Sequence, residues 1–175
     1  VYYRSVPRGR QIGVEPGFMT LVDAQRQGLA LEALKDVSVV ASSGGSAANT
    51  VVGVAEMGGR ASYCCRVGDD EYGQFYVDDL RRLGIQVDGD RKADGPTGTC
   101  VVLITPDAQR TMLTHLGVSA RLGRDNVDAD RIAASKWLYI EGYLLPGEST
   151  REAALMAMGI AREKGVKVAL TVSDP

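Results

Sequence analysis

A glycine pair, Gly44-Gly45, stands between a β-branched run from Val37 to Ala41 and an apolar helical pattern that stops at Gly58-Gly59. A second extended run, Ala61 to Val67, follows, and the acidic turn Gly68-Asp69-Asp70-Glu71 opens another helical pattern ending at Gly84. Strand, loop, helix and strand in this order form a βαβ unit, which requires a parallel sheet. Two glycines before a helix bring backbone close to a ligand, because no Cβ intervenes, and the helix start presents N–H groups to polar oxygens.

The rest of the chain keeps the alternation. Phe18 to Val22 is a short apolar run, and Asp23 is placed to cap a helix from Ala24 to about Lys35 whose inner face carries Leu29 and Ala33, with Ala30 and Leu34 beside them. Val37 to Ser43 reads as a strand. The helix after Gly45 places Ala48, Val51, Val52, Ala55 and Met57 at spacings of three and four, and Gly58 supplies its left-handed stop. A helix from Glu71 to Leu83, capped by Asp69 or Asp70, points Phe75, Leu80 and Leu83 inward, and Ile85 to Val87 is extended. Thr99 to Thr105 and Arg110 to His115 flank the turn Pro106-Asp107-Ala108-Gln109, which predicts an antiparallel hairpin. A short helix over Asp125 to Ala134, a buried strand from Trp137 to Ile140, a helix from Ser149 to Glu163 facing inward with Ala153, Leu155, Met156 and Ile160, and a buried strand from Val166 to Val172 complete the pattern. The chain is therefore α/β, with a mostly parallel sheet, helices on both faces and an antiparallel addition.

With 175 residues there is room for one sizeable core. A net charge of −2 argues against nucleic acid or an acidic membrane as partner, and no apolar run approaches the roughly 18 residues of a membrane span. Three cysteines without Cys-x-x-Cys spacing predict reduced, buried thiols and a cytoplasmic protein.

In open parallel sheets ligands gather at the carboxyl ends of the strands. Those ends read Gly44-Gly45, Gly68-Asp69-Asp70, Glu141-Gly142 and Ser173-Asp174. The glycine pair with Asn49 admits two readings: a tight turn with a structural asparagine, or a polyol site in which an amide offers donor and acceptor to vicinal hydroxyls. Gly-x-Gly-x-x-Gly is absent after the relevant strands and so is the phosphate loop, which argues against a dinucleotide oxidoreductase.

The segment Gly44-Gly45-Ser46-Ala47-Ala48-Asn49, with Gly58 and Gly68 at their distances, resembles the first signature of the ribokinase-like (PfkB) carbohydrate kinases. Val67-Gly68-Asp69-Asp70-Glu71-Tyr72-Gly73, Leu83-Gly84-Ile85, Arg110-Thr111-Met112, Leu116-Gly117 and Tyr139-Ile140-Glu141-Gly142-Tyr143 follow in the expected order. The resemblance covers roughly residues 17 to 175. Val51 departs from it, standing where the signature prefers Ser, Thr or Ala.

The resemblance implies a ribokinase-like fold, 1–175 being a partial single domain incomplete at both ends, with a small β-sheet lid drawn from residues 1–22, 37–43 and 88–105. It implies a kinase that uses ATP and Mg2+ to phosphorylate a primary hydroxymethyl group of a sugar or nucleoside. Gly44, Gly45, Asn49, Glu141 and Tyr143 match substrate-binding positions, and Arg110 matches an arginine that stabilises the phosphoryl group in transit, a role for which a planar guanidinium is suited. A hairpin surface role for Arg110, and a cap or ion pair for Glu141, stay open on the residues themselves. Asp69 and Asp70 read as helix caps before catalytic acids, and His115 as a structural hairpin residue. The hairpin favours the adenosine-kinase-like branch. The family's first strand has an Asn/Asp pattern that residues 1–16 do not reproduce, and its Asn-x-x-Glu and Gly-Ala-Gly-Asp motifs, which organise magnesium and supply the base, find no match. The expectation is thus the substrate half of a kinase, inactive alone, with no metal ligand and no catalytic base of its own, and able to pair as a homodimer through the lid or an exposed sheet edge. The alternative is a non-catalytic sugar- or nucleoside-binding or interaction module of the same fold.

Overall fold

The computed structural model describes residues 15–36, 39–87, 92–105 and 107–172. In chain order its elements are β1 (Met19–Leu21), α1 (Ala24–Glu32), α2 (Ser46–Glu56), β2 (Ser62–Tyr63), α3 (Glu71–Arg82), β3 (Gln86–Val87), β4 (Thr99–Ile104), β5 (Arg110–His115), α4 (Ala129–Ala133), β6 (Trp137–Glu141), α5 (Glu148–Glu163) and β7 (Lys167–Thr171). Single 3-10 turns occupy Gly117–Arg121, Arg124–Asn126 and Gly142–Leu144. The chain forms two compact units, Val1–Ser42 with Gly98–Gly117, and Ser43–Thr97 with Val118–Pro175.

In the first unit β4 and β5 make the expected antiparallel hairpin, with Val101 opposite Leu113, and β1 adds to β5 in parallel. Asp23 caps α1 as its sequence position predicts, accepting from Arg26 N at 2.7 Å. The inner face of α1 differs from the expectation. Gln27, Ala30 and Leu34 are buried, whereas Leu29 is 64% exposed and Ala33 lies at the surface. A polar residue sets this stripe, which a hydrophobic pattern cannot register. Gln27 Nε2 donates to Leu113 O at 3.0 Å and Thr99 O at 3.2 Å, and its Oε1 accepts from Thr99 Oγ1 at 2.8 Å. The amide thus joins α1 to both strands above Ala30, Leu34, Val101, Leu103 and Leu113. Gln27→Ala is expected to cost about 1.5 kcal/mol, read by chemical denaturation, since it strands buried polar groups and opens a void.

The described part of the expected 37–43 strand, residues 39–43, is not β structure, and Val39 and Val40 are exposed; Val37 and Ser38 fall outside the described residues. In the second unit, β2 and β3 pair in parallel, Ser62 beside Gln86 and Tyr63 beside Val87. The expected strand over 61–67 is therefore only two residues long. Beyond Tyr63 the segment is held by side chains instead of a ladder: Arg66 Nη1 donates to Asn126 Oδ1 at 3.1 Å and Cys64 Sγ to Asn126 O at 3.2 Å. It rejoins β-type pairing only at Gly68, which bridges Ala93.

The helix α3 begins at its predicted cap, Asp70, and its charges suit the helix dipole, with Glu71 in the first turn and Arg81 and Arg82 in the last. Val77 and Leu80 face the core formed with Val67, Ile85 and Val87, while Phe75 and Leu83 are partly exposed, contrary to expectation. Met57 is likewise 82% exposed. The parallel pair β6–β7 packs through Ile140 and Leu138 against α5, which buries Ala153, Ala154, Ala157 and Ala161 instead of the expected Leu155. Small residues let the helix lie close to the strands; Leu155 turns outward, while Met158 packs against the edge of this core. The two strands are less buried than their sequences suggest: Trp137, Tyr139, Val168, Leu170 and Val172 are exposed. Cys64 and Cys100 are exposed and Cys65 half-buried, so the thiols are not the buried groups expected.

Candidate functional site

The glycine loop lies at the start of α2 in the second unit. Gly45 occupies the N-cap position with φ 108°, a conformation that a Cβ strongly disfavours, and no side chain caps the helix. Its carbonyl accepts from Asn49 N at 2.8 Å, closing the first turn and leaving the Asn49 side chain exposed one turn in. Two side-chain hydrogen bonds tie the loop to other elements of the unit. Ser46 Oγ donates to Glu141 Oε2 at 2.9 Å, and the other carboxylate oxygen accepts from Tyr139 OH at 2.9 Å. From another element, Tyr76 OH on α3 donates to Gly44 O at 3.1 Å and lies 3.4 Å from Tyr63 OH on β2.

Glu141 is only 6% exposed, at the carboxyl end of β6. A buried carboxylate is costly unless hydrogen-bonded, and here each oxygen has a hydroxyl donor. Burial raises the Tyr63 and Tyr76 phenols above the ordinary tyrosine value; for Tyr63 the hydrogen bond with Tyr76 partly opposes the rise. Both therefore remain neutral across the physiological range, and Tyr76 keeps the proton it donates to the loop.

Of the residues expected at the site, Gly44, Gly45, Asn49, Glu141 and Tyr143 all lie in the second unit. The Ser46–Glu141 bond joins the glycine loop to the end of β6, although the two are 95 residues apart in sequence. Tyr143 follows in the 3-10 turn and is half exposed. Arg110 is exposed at the start of β5 in the first unit. Asp70 is the cap of α3, and Asp69 pairs with Lys92 at 2.9 Å, consistent with the structural role read for the acidic turn. Among the described residues no cluster of three or more His, Cys, Asp or Glu is arranged to hold a metal ion, and no helix is long and apolar enough to cross a membrane.

Ser46, Tyr63, Tyr76 and Tyr139 are participants that reading the sequence overlooks. Tyr139 had a signal, standing two residues before Glu141 and so on the same face of a strand. Tyr76 had none, because only folding brings it to Gly44.

These elements define an α/β protein of the ribokinase-like fold. The chain superposes on the adenosine kinase of Sinorhizobium meliloti with a TM-score of 0.87 and 36% identity, over 99% of this chain and 53% of that one. The model of the pfkB family of carbohydrate kinases matches residues 19–175, and the chain belongs to that family. It is 32% identical to the 5-dehydro-2-deoxygluconokinase of Clostridium perfringens over 74% of this chain and 39% of that protein. To the fructokinase of Solanum tuberosum it is 32% identical over 75% of this chain and 41% of the relative. The chain thus spans about two fifths of these two relatives and about half of the adenosine kinase.

Proposed function

We propose that this chain is the substrate-binding part of a kinase that transfers a phosphoryl group from ATP to a primary hydroxymethyl group of a sugar or nucleoside. The observation that carries the reading is the junction of the glycine loop with the Glu141 carboxylate through Ser46. It gathers close-approach backbone at Gly44 and Gly45, the Asn49 amide on the first turn of α2 and a buried acid at a strand end, a mix of donors and acceptors suited to a polyol. Gly44, Gly45, Asn49, Glu141 and Tyr143 are the proposed substrate contacts. The likeness to an adenosine kinase at 36% identity over 99% of this chain supports a nucleoside acceptor, and that to a probable sugar kinase of Rhizobium etli at 32% over the same share keeps sugars in the test.

Arg110 is proposed as the residue that stabilises the phosphoryl group, and the strands of the first unit as the lid, both from the family likeness. Among the described residues no group of three His, Cys, Asp or Glu is arranged to hold Mg2+. What the chain's own residues do is bind and orient the acceptor: the two hydroxyl donors keep Glu141 fixed, and Tyr76 holds the Gly44 carbonyl.

Calorimetric titration with adenosine, ribose and fructose tests the reading. Saturable binding is expected for at least one of them, with adenosine the tightest, and Asn49→Ala is expected to weaken it about tenfold, the effect of one or two polar contacts. No binding of any of the three would remove the substrate-site assignment. ATP and Mg2+ added to the same mixture are expected to yield no phosphorylated product, and turnover would show that the catalytic parts are present as well.

A further inference from the structure

At the opposite end of the β6–β7 pair from Glu141 there is a concavity of about 350 Å3, lined among others by Lys136, Trp137, Lys164 and Lys167. Trp137 and Lys167 are register partners and the first residues of their strands, four residues from Glu141 and Thr171, so about 13 Å separates the two ends. The concavity collects three of the chain's five lysines and its single tryptophan, in a protein whose net charge is −2. No acidic side chain lines it. Among the described residues none of the three ammonium groups is in a salt bridge. The Lys167 ammonium sits 5.2 Å above the Trp137 ring, a cation–π contact that limits where this long side chain points. The indole remains 59% exposed.

One structural role accounts for part of this arrangement. Lys164 is the C-cap of α5, where a positive charge offsets the helix dipole. Lys136 and Lys167 are not on that helix, and the dipole does not explain why all three lysines line one concavity. The three charges match a small anion bearing about three negative charges, and the volume is that of a small-molecule site. A nucleic acid would need a basic stripe continuing across the surface, and the acidic overall balance does not supply one. We infer that Lys136, Lys164, Lys167 and Trp137 form a binding site for a small polyphosphate-class anion, separate from the glycine-loop site. This inference does not depend on the kinase reading.

The single tryptophan provides the readout. The whole chain is titrated with inorganic tripolyphosphate, pyrophosphate and orthophosphate at low salt while Trp137 fluorescence is followed, with calorimetry in parallel. A saturable fluorescence change is expected, with affinity rising in the order of charge and falling as sodium chloride is added. Lys136→Gln and Lys164→Gln are each expected to weaken tripolyphosphate binding about tenfold, as for the loss of one charge-assisted contact. Lys136→Arg retains the charge and is expected to stay within a few-fold of the unaltered chain, and circular dichroism checks that every variant is folded. The inference fails if no saturable change occurs, if the folded glutamine variants bind as tightly as the unaltered chain, or if polyglutamate binds as tightly as tripolyphosphate, which would assign the surface to an acidic protein segment.

Discussion

Gly142→Ala is expected to lower the free energy of unfolding by about 3 kcal/mol, the upper end of the range for overpacking a tight contact. The cause is close approach and not an unusual dihedral. A Cβ at this position would overlap the carbonyl oxygen of Val172 and lie 2.8 Å from its carbonyl carbon and 3.0 Å from Thr171 O. These are backbone atoms of the last residue of β7 and the one after it, so no rotamer change can relieve the crowding. Relief requires β6 and β7 to separate where Glu141 pairs with Thr171. The same movement would displace the carboxylate that receives Ser46, so weaker substrate binding should accompany the lost stability. Gly159→Ala is the control: nothing lies within 4 Å of its added Cβ, and in the interior of α5 it should stabilise by about 0.5–1 kcal/mol. Equal denaturation midpoints for Gly142→Ala and the unaltered chain would refute the steric argument.

Asp70→Ala is expected to cost about as much, roughly 3 kcal/mol, because one carboxylate serves three donors. Gly73 N donates at 2.8 Å, Thr97 N at 2.7 Å and Thr97 Oγ1 at 2.6 Å, so the α3 cap and the loop around Thr97 share a single acceptor. Thr97 Oγ1 in turn accepts from Gly68 N at 2.9 Å. Partial desolvation alone would raise the Asp70 pKa, but these hydrogen bonds outweigh it and hold the carboxyl below its ordinary 3.8. A depressed folded-state pKa stabilises the protein above the unfolded value, and the benefit disappears as pH falls through the lower, folded one. The stability gap between the unaltered chain and Asp70→Asn should therefore be constant near neutrality and shrink in acid below about pH 4. A gap that widens with acidification would mean that the carboxylate is not the favoured form.

Elements set by local chemistry were legible in the sequence. Asp23 and Asp70 cap the helices they precede, Gly58 and Gly84 adopt positive φ after α2 and α3, and the hairpin pairs as its two β-prone runs predict. What could not be read depends on partners distant in sequence. Gln27 is buried because two strand carbonyls await it, and α5 turns an alanine face inward because the strands approach closely. The 61–67 segment looks like a strand by composition, yet its partner β3 offers only two residues to pair with. At the proposed site, spacing and family likeness single out the glycine pair, Asn49 and Glu141, and the structure joins the loop to Glu141 through Ser46. They do not single out Tyr76, since its bond to Gly44 spans 32 residues and follows no periodicity.

The Ser46–Glu141 bond also imposes an order in time. During synthesis the glycine loop emerges 95 residues before the acid that fixes it, so at about 5–20 residues per second it waits roughly 5–20 s for that partner. Tyr76, 32 residues away, is available about three times sooner. The loop is therefore tethered first from α3 and only later from β6, and Glu141 completes the proposed substrate site as a late folding event.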